Sequence, residues 1–396
     1  MSFYQTEAPI TITCNKRLAP MLEKEVADLG FKILETFVTG VRLRGTMNDC
    51  IRLNLNLYCA SQVLYSLGTF RAQNANDVYR FLSGMTWEDI LPDDGYFSVT
   101  SNVQNETINN NMFANVKVKD AIVDRIRDKK GIRPATGPRQ DAAVVHLYWK
   151  DENAEIFIDT SGESLARHGY RKIPGAAPML EALASATILS SRWDRNSAFV
   201  NPMCGSGTLA IEAALIATNS RPGLFRDNFS FMHFQGYEAD FYDTEQIKLE
   251  EQIKDVPDLR IIATDHSEEA IVNARKNAIA AGVAKMIDFE VCDFTGTEIP
   301  KDHKGVFFVN PEYGERLGDE TELEETYARI GDFMKQKCGG YYGYIFTGNL
   351  DLAKKIGLKP KRRIEFYTGK IDCRLLEYEL YEGTRREFTP LPFPEG

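Results

Sequence analysis

The spacing of apolar residues divides the chain into two stretches with different rhythms. Up to about residue 160, short alternating runs are mixed with short helical ones. Ile10 to Cys14 alternates like a strand, and Leu18 to Leu29 has helical spacing that Gly30 ends. Lys32 to Arg44 reads as two strands around Gly40, and Met47 to Tyr58 as a helix. Strands are predicted over Val63 to Phe70 and Tyr96 to Val103, with a helix over Asn76 to Leu82 between them. Phe113 to Lys130 predicts a long amphipathic helix closed by Gly131, and Ala142 to Trp149 with Ala154 to Asp159 a hairpin. This is an α+β pattern of two small modules.

Residues 161–178 hold Gly162, Gly169, Pro174, Gly175 and Pro178 and read as a linker. Strand and helix then alternate regularly. Strands are predicted over Ala198 to Asn201, Arg260 to Thr264, Ile287 to Val291, Gly305 to Val309 and Tyr341 to Phe346. Helices are predicted over Thr208 to Ala217, Glu268 to Ala281 and Glu324 to Lys337. Such alternation implies a doubly wound parallel sheet. A closing strand pair over Arg363 to Tyr381 is less usual for a dehydrogenase.

A chain of 396 residues exceeds what one core usually supports, so two or three domains are expected. With 43% hydrophobic and 26% charged residues the composition is that of a globular protein. No apolar run approaches the roughly 20 residues of a membrane span. The first ten residues lack the basic and apolar segments of a secretion signal, so a cytoplasmic protein with no membrane partner is expected. Seven scattered cysteines without CxxC spacing, and five histidines with no i, i+4 pair, predict reduced thiols and no metal.

The net charge of −10 disfavours a nucleic-acid partner only as an average. Lys117, Lys119, Arg125, Arg127 and Lys130 cluster in one stretch, Lys354 to Arg363 form another, and Arg167 and Arg171 a short third. Acidic residues gather elsewhere, at 238–258 and 319–325. Segregation of this kind is what a one-faced RNA or DNA footprint requires.

The candidate chemistry lies in Asn201-Pro202-Met203-Cys204-Gly205-Ser206-Gly207-Thr208 and in Asn310-Pro311-Glu312-Tyr313. Gly205 to Ala210 fits G-x-G-x-x-A, but a dinucleotide turn needs an acid about 20 positions on. Here the next strand ends at Asp265, far beyond that, after what reads as inserted helix and loop. S-adenosylmethionine suits the same parts: Gly205 and Gly207 admit the methionine moiety, Asp265 the ribose hydroxyls, and Asp293 the adenine amino group. Cys204 has no histidine base nearby in sequence and reads as a packing residue. Asn310 and the Pro311 carbonyl can each accept one N–H of an exocyclic base amine, turning its lone pair toward a methyl donor. Tyr313 would stack on the base, which a folded RNA must first release.

These residues and their surroundings resemble the THUMP-domain class I RNA methyltransferases, above all the RlmL-type enzymes that methylate guanine N2 in large-subunit ribosomal RNA. The likeness covers nearly the whole chain. FANVKVKDAIVDRIRDKKGIR at 113–133 looks like the RNA-binding segment, and TSGESLARHGYRK at 160–172 like the junction. The glycine turn looks like the cofactor motif and GVFFVNPEYGERLG like the catalytic loop. FTGN at 346–349 looks like a late strand end, and KIDCRLLEYELYEG like the terminal hairpin. The resemblance implies an α+β N-terminal region, ferredoxin-like plus THUMP, then an α/β Rossmann-like class I methyltransferase domain with a C-terminal antiparallel hairpin. The boundaries it implies are 1–160, with THUMP over about 45–160, a linker at 161–178, and the methyltransferase domain at 179–390, with no second methyltransferase domain. Structured ribosomal RNA is the implied partner, with tRNA as an alternative. Two departures stand out: Glu312 replaces a proline of the family loop, and Ala263 a glycine before Asp265. A catalytically weak RNA-binding protein of ribosome assembly remains the other reading.

Overall fold

The strands between Ala8 and Asp159 build one continuous sheet. The structure, a computed structural model, describes residues 3–105, 110–173, 178–301, 304–313 and 320–382. It divides into two compact units: 1–172 with 179–190 and 215–255, and 173–178 with 191–214 and 256–396.

The first unit runs β1 (Ala8–Thr13), α1 (Ala19–Asp28), β2 (Ile33–Phe37), β3 (Gly40–Gly45), α2 (Met47–Asn56), β4 (Gln62–Arg71) and α3 (Ala75–Ser83). It continues through β5 (Tyr96–Gln104), α4 (Asn111–Lys130), β6 (Ala135–Thr136), β7 (Ala143–Lys150), β8 (Asn153–Asp159) and α5 (Glu181–Ser190). The strands form an eight-stranded sheet in the order β2-β3-β1-β4-β8-β7-β5-β6. The two small modules expected from the sequence therefore share a sheet, and β4 is the shared strand. Its start, Gln62 to Tyr65, pairs with β1, while Leu64 to Arg71 pairs with β8 across an irregularity at Ser66/Gly68. Thr46 with Asp49, and Asn74 with Asp77, form reciprocal caps that begin α2 and α3. The stretch expected to be a linker is packed where it is described. Leu165, Ala166, His168 and Tyr170 are buried, and Arg226 donates to the carbonyls of Glu163 and Ser164. Residues 174–177 lie outside the described residues.

The second unit begins with β9 (Ala198–Pro202) and α6 (Thr208–Thr218). From Leu215 onward α6 counts with the first unit, as does all of α7 (Ala239–Glu251). The second unit resumes with β10 (Ile261–Asp265), α8 (Glu268–Ala280), β11 (Ile287–Val291), β12 (Gly305–Val309) and α9 (Glu320–Lys337). It closes with β13 (Tyr342–Thr347), α10 (Leu350–Lys355), β14 (Arg362–Thr368) and β15 (Ile371–Glu379). The sheet order is β11-β10-β9-β12-β13-β15-β14. β9 to β13 are parallel, and β15 runs antiparallel to both β13 and β14. Every residue of β9, β10 and β12 is buried, as central parallel strands covered on both faces require. One layer of the core packs Val200, Phe307 and Val309 against Tyr327, Ile330 and Met334. Successive strands leave β9 in opposite directions, so the sheet changes hand between β9 and β12, and α/β folds bind ligands beyond the strand ends at such a point.

Glu377 fastens the terminal hairpin to this sheet. Its side chain is fully buried and accepts from Arg192 Nε (3.0 Å), Arg362 Nε (2.8 Å) and Tyr344 Oη (3.0 Å). Burial opposes its ionisation, but the donors of Arg362, Arg192 and Tyr344 prevail and hold the carboxyl below the ordinary carboxylate range. A carboxylate whose folded pKa is lowered stabilises fully above its unfolded value, and that contribution is lost as pH falls through the folded one. Glu377→Ala is expected to remove about 3 kcal/mol of unfolding free energy at neutral pH and to flatten the acid limb of the stability profile. Urea titrations across pH check both; an unchanged midpoint would mean that the hairpin holds without this carboxylate.

Candidate active site

The ends of β9 and β10 are stitched together where the glycine turn begins. Cys204 N donates to Thr264 O at 2.9 Å, and Gly205 N to Asp265 Oδ2 at 2.9 Å. Asp265 Oδ1 also accepts from Ser267 N at 3.0 Å, so two backbone amides fix this buried carboxylate. Met203 is held at φ +52°, a left-handed conformation costing a non-glycine residue about 1 kcal/mol or more. Gly205 and Gly207 are left-handed too, at +55° and +81°. Their surroundings differ. A Cβ on Gly207 would come within 2.9 Å of the Ala274 Cβ on α8, whereas one on Gly205 would meet no atom within 4 Å. Gly207 therefore serves packing, and Gly205 leaves bare backbone facing open space. The side chain of Ser206 is 3.4 Å from the Thr208 hydroxyl, and Pro202 is buried at the strand end.

β12 reaches the same sheet edge. Asn201, 1% exposed, donates from Nδ2 to Phe308 O at 2.8 Å. Its Oδ1 is buried and has no hydrogen-bond partner among the described residues, and the same holds for Asn310 Oδ1. Two unpartnered acceptors thus flank the junction of the glycine turn and the loop after β12, where most buried acceptors would be paired. Pro311 is buried and Glu312 exposed. The Tyr313 ring meets Phe346 edge to face, with centroids 6.3 Å apart, and a Cβ on Gly348 would come within 2.8 Å of it. Burial, together with Cys373, raises its hydroxyl pKa, so Tyr313 is neutral. Burial likewise pushes the Cys204 thiol up, with Asp265 adding to it, which leaves no thiolate for nucleophilic work.

Asp293 follows β11 and caps the short helical turn Phe294–Gly296. Its Oδ1 accepts from Thr295 N (3.0 Å), Thr295 Oγ1 (2.6 Å) and Arg329 Nη2 (2.8 Å). Burial works against the charge, but these Thr295 and Arg329 donors outweigh it and hold the carboxyl below its usual range. Three supports went unread in the sequence. Arg329 anchors Asp293, and Gly348 seats Tyr313. Asn277, fully buried on α8, donates to Ser206 O at 3.1 Å and clasps both backbone groups of Ile173. None stands in a local pattern that names its partner.

The basic residues singled out for RNA, all in the first unit, fare unequally. Arg127, 52% exposed at its side chain, pairs with Asp124, and Arg167 is exposed. Lys117 lies 5.8 Å from the Phe113 ring centroid, Lys119 pairs with Asp120, and Lys130 with Asp93. Arg125, by contrast, is held in a bidentate pair by Glu88, at 3.0 and 2.6 Å. Arg171 is 11% exposed, bonded to Met179 O and 3.6 Å from Glu181. These two guanidinium groups are committed inside the protein.

All seven cysteines are free, and among the described residues no group of His, Cys, Asp or Glu is arranged to hold a metal. No helix among them is long and apolar enough to cross a membrane.

A seven-stranded sheet of this order, with a glycine turn after its central strand and an Asn-Pro loop beside it, defines the class I methyltransferase fold. The chain belongs to the family described as RMKL-like methyltransferase domain, which matches residues 168–377. Residues 9–64 match the RlmL ferredoxin-like domain and 72–159 the THUMP domain. It is 33% identical over 389 residues to the ribosomal RNA large subunit methyltransferase K/L of Syntrophotalea carbinolica, covering 95% of this chain and 54% of that protein. It is 30% identical to the "Putative RNA methyltransferase slr0064" of Synechocystis sp., covering 96% of this chain and 99% of that one. The chain thus spans about half the length of the K/L relatives it matches. Among solved structures, SMU.472, complexed with SAH, superposes with a TM-score of 0.86 at 26% identity, covering 96% of this chain and all of that one. A "predicted N6-adenine-specific DNA methylase" from Listeria monocytogenes gives 0.85 at 29% identity, covering 95% and 97%.

The contrast between the two glycines is testable. Both Gly→Ala changes incur the left-handed penalty of about 1–2 kcal/mol, and Gly207→Ala should lose a further 1–3 kcal/mol, roughly, through overpacking on Ala274. Thermal unfolding of the pair measures the difference; equal losses would remove α8 as the floor of the turn.

Proposed function

We propose that the protein transfers a methyl group from S-adenosylmethionine to the exocyclic N2 amine of a guanine in RNA, with large-subunit ribosomal RNA as the substrate. The observation that carries this reading is the buried, unpartnered Oδ1 of Asn310 at the end of β12. An exocyclic amine conjugated to a purine is a poor nucleophile, because its lone pair is delocalised into the ring. Asn310 Oδ1 and the Pro311 carbonyl accept its two hydrogens, direct the lone pair outward, and stabilise positive charge as it develops on nitrogen. Tyr313 stacks on the base, which the RNA releases from its own pairing. S-adenosylmethionine supplies an electrophilic methyl on a positively charged sulfur. The backbone at Gly205 admits its methionine part, Asp265 presents its remaining lone pairs to the ribose hydroxyls, and Asp293 meets the adenine amino group. Asn201, Pro202, Met203, Cys204, Ser206, Gly207 and Thr208 complete the cradle.

Glu312, exposed beside these acceptors, suits guanine. A carboxylate accepts from guanine N1–H, next to the reacting amine, whereas adenine N1 is a bare acceptor. The first 160 residues, with the THUMP match at 72–159, grip folded RNA, and 179–390 carry the chemistry in the cytoplasm. Lys117, Lys119, Arg127, Lys130 and Arg167 contact phosphates, while Arg125 and Arg171 shape the surface that carries them.

Asn310→Ala is expected to lose turnover while keeping cofactor affinity, because its acceptor matters as charge develops; turnover at the wild-type rate would discard the loop's role. Asp265→Ala should weaken S-adenosylmethionine by about 1–3 kcal/mol in calorimetry. Nucleoside analysis after reaction with unmodified ribosomal RNA should show N2-methylguanosine. Methylated adenosine alone would overturn the base assignment, product only on tRNA would move the substrate, and RNA binding without product would leave a binding protein. Neutralising Lys117 and Lys119 should flatten the salt dependence of RNA binding.

A further inference from the structure

Apart from its basic face, the first unit carries a cleft of about 480 Å³ lined by the rings of Tyr96, Phe234 and Tyr237 together with Met232, His233 and Asp94. That volume lies in the ordinary range of small-ligand sites, roughly 300–1,000 Å³. Its walls are braced. Gln235 donates from its backbone to Ile90 O at 3.0 Å, and from Nε2 to Glu88 O (3.0 Å) and Leu91 O (2.8 Å). His233 Nε2 sits 2.7 Å from Asn228 Oδ1, and Asn228 Nδ2 donates to Asp141 O at 2.9 Å. The cleft is therefore preformed.

Its chemistry is aromatic and only weakly cationic. The Arg139 guanidinium lies 4.7 Å from the Tyr96 ring centroid, and Arg139 N donates to Tyr96 Oη at 3.1 Å. Phe229 and Phe231 nearby are fully buried, yet Tyr96, His233 and Tyr237 stay half-exposed around the opening. The charges nearby are largely balanced: Lys130 pairs with Asp93, and Arg139 lies 3.7 Å from Asp141. Asp94 remains exposed. Such a rim offers a phosphate little net attraction, while the Asp94 carboxylate can accept from the amino or imino hydrogens of a base. Rings and guanidinium planes presented together are how proteins hold unstacked RNA bases.

We propose that this cleft takes one unpaired nucleobase of the RNA substrate, stacked on its tyrosine rings, and so fixes the register of the strand away from the methylated nucleotide. The inference rests on the reading of the chain as an RNA-modifying protein, and it assigns Tyr96 and Tyr237 a role that none of the basic residues fills. Base–aromatic stacking is insensitive to salt, whereas phosphate contacts are not.

Binding of the full chain to unmodified ribosomal RNA and to tRNA, titrated at several salt concentrations, separates the two. Tyr96→Ala and Tyr237→Ala are each expected to weaken binding by about tenfold with an unchanged salt slope. Tyr96→Phe should bind like the wild type, since it keeps the ring. Tyr237→Trp should show indole fluorescence quenched on RNA addition, a signal that a merely structural role would not give. Wild-type affinity in both alanine variants, or an unquenched Tyr237→Trp, would overturn the site. If neutralised Lys117 and Lys119 still flatten the slope in that case, the RNA reading stands without the cleft. A wild-type chain that binds neither RNA removes both.

Discussion

The bond from Gly205 N to Asp265 Oδ2 is the one on which the rest of the second unit's edge turns. It ties the turn after β9 to the end of β10, and it aims a carboxylate and a bare stretch of backbone at the same place. Parallel pairing makes it possible. Ala263 stands opposite Asn201, and Phe307 opposite Val200, so three strand ends finish at one edge without any long-range device. Asn201 then carries the alignment to β12 through Phe308 O, which sets the level from which the Asn310 loop departs. A strained Met203 is tolerated because bonds on both sides leave it no alternative.

Most of this was legible in the sequence because it is local. Glycine turns, strand-ending acids and fully apolar strands declare themselves within a few residues: the five parallel strands of the second sheet were anticipated to within a residue of their ends, and the closing hairpin as one pair. What escaped depends on distant partners or on absent periodicity. α5, with EALASATILS buried almost throughout, presents no polar face to mark it as a helix. The role of Asn277 rests on Ile173, over a hundred residues away, and that of Arg329 on a turn in another part of the fold. Arg125 and Arg127 look alike in sequence, yet Glu88 claims one and leaves the other outward. A count of basic residues overstates a footprint for this reason: the charges that shape a surface are drawn from the same stretch as those that use it.

The same economy makes an acidic net charge compatible with a basic local patch. Coulomb forces between exposed charges fade over about 10 Å at ordinary ionic strength, so α7, with its carboxylates, weighs little against a patch farther away than that. Net charge then governs solubility, and the local arrangement governs partners.

β4 has a consequence of another kind. Its first residues belong to one recognisable module and its last to the next, so the sheet has no seam at which the two could part. Loss of either half exposes a row of unpaired amides and carbonyls on the other, an edge prone to pair with another chain. Two domain matches thus fall on a single sheet. A lesion in Ala8–Thr13 is therefore felt, through one strand, by the part of the chain that matches the THUMP domain.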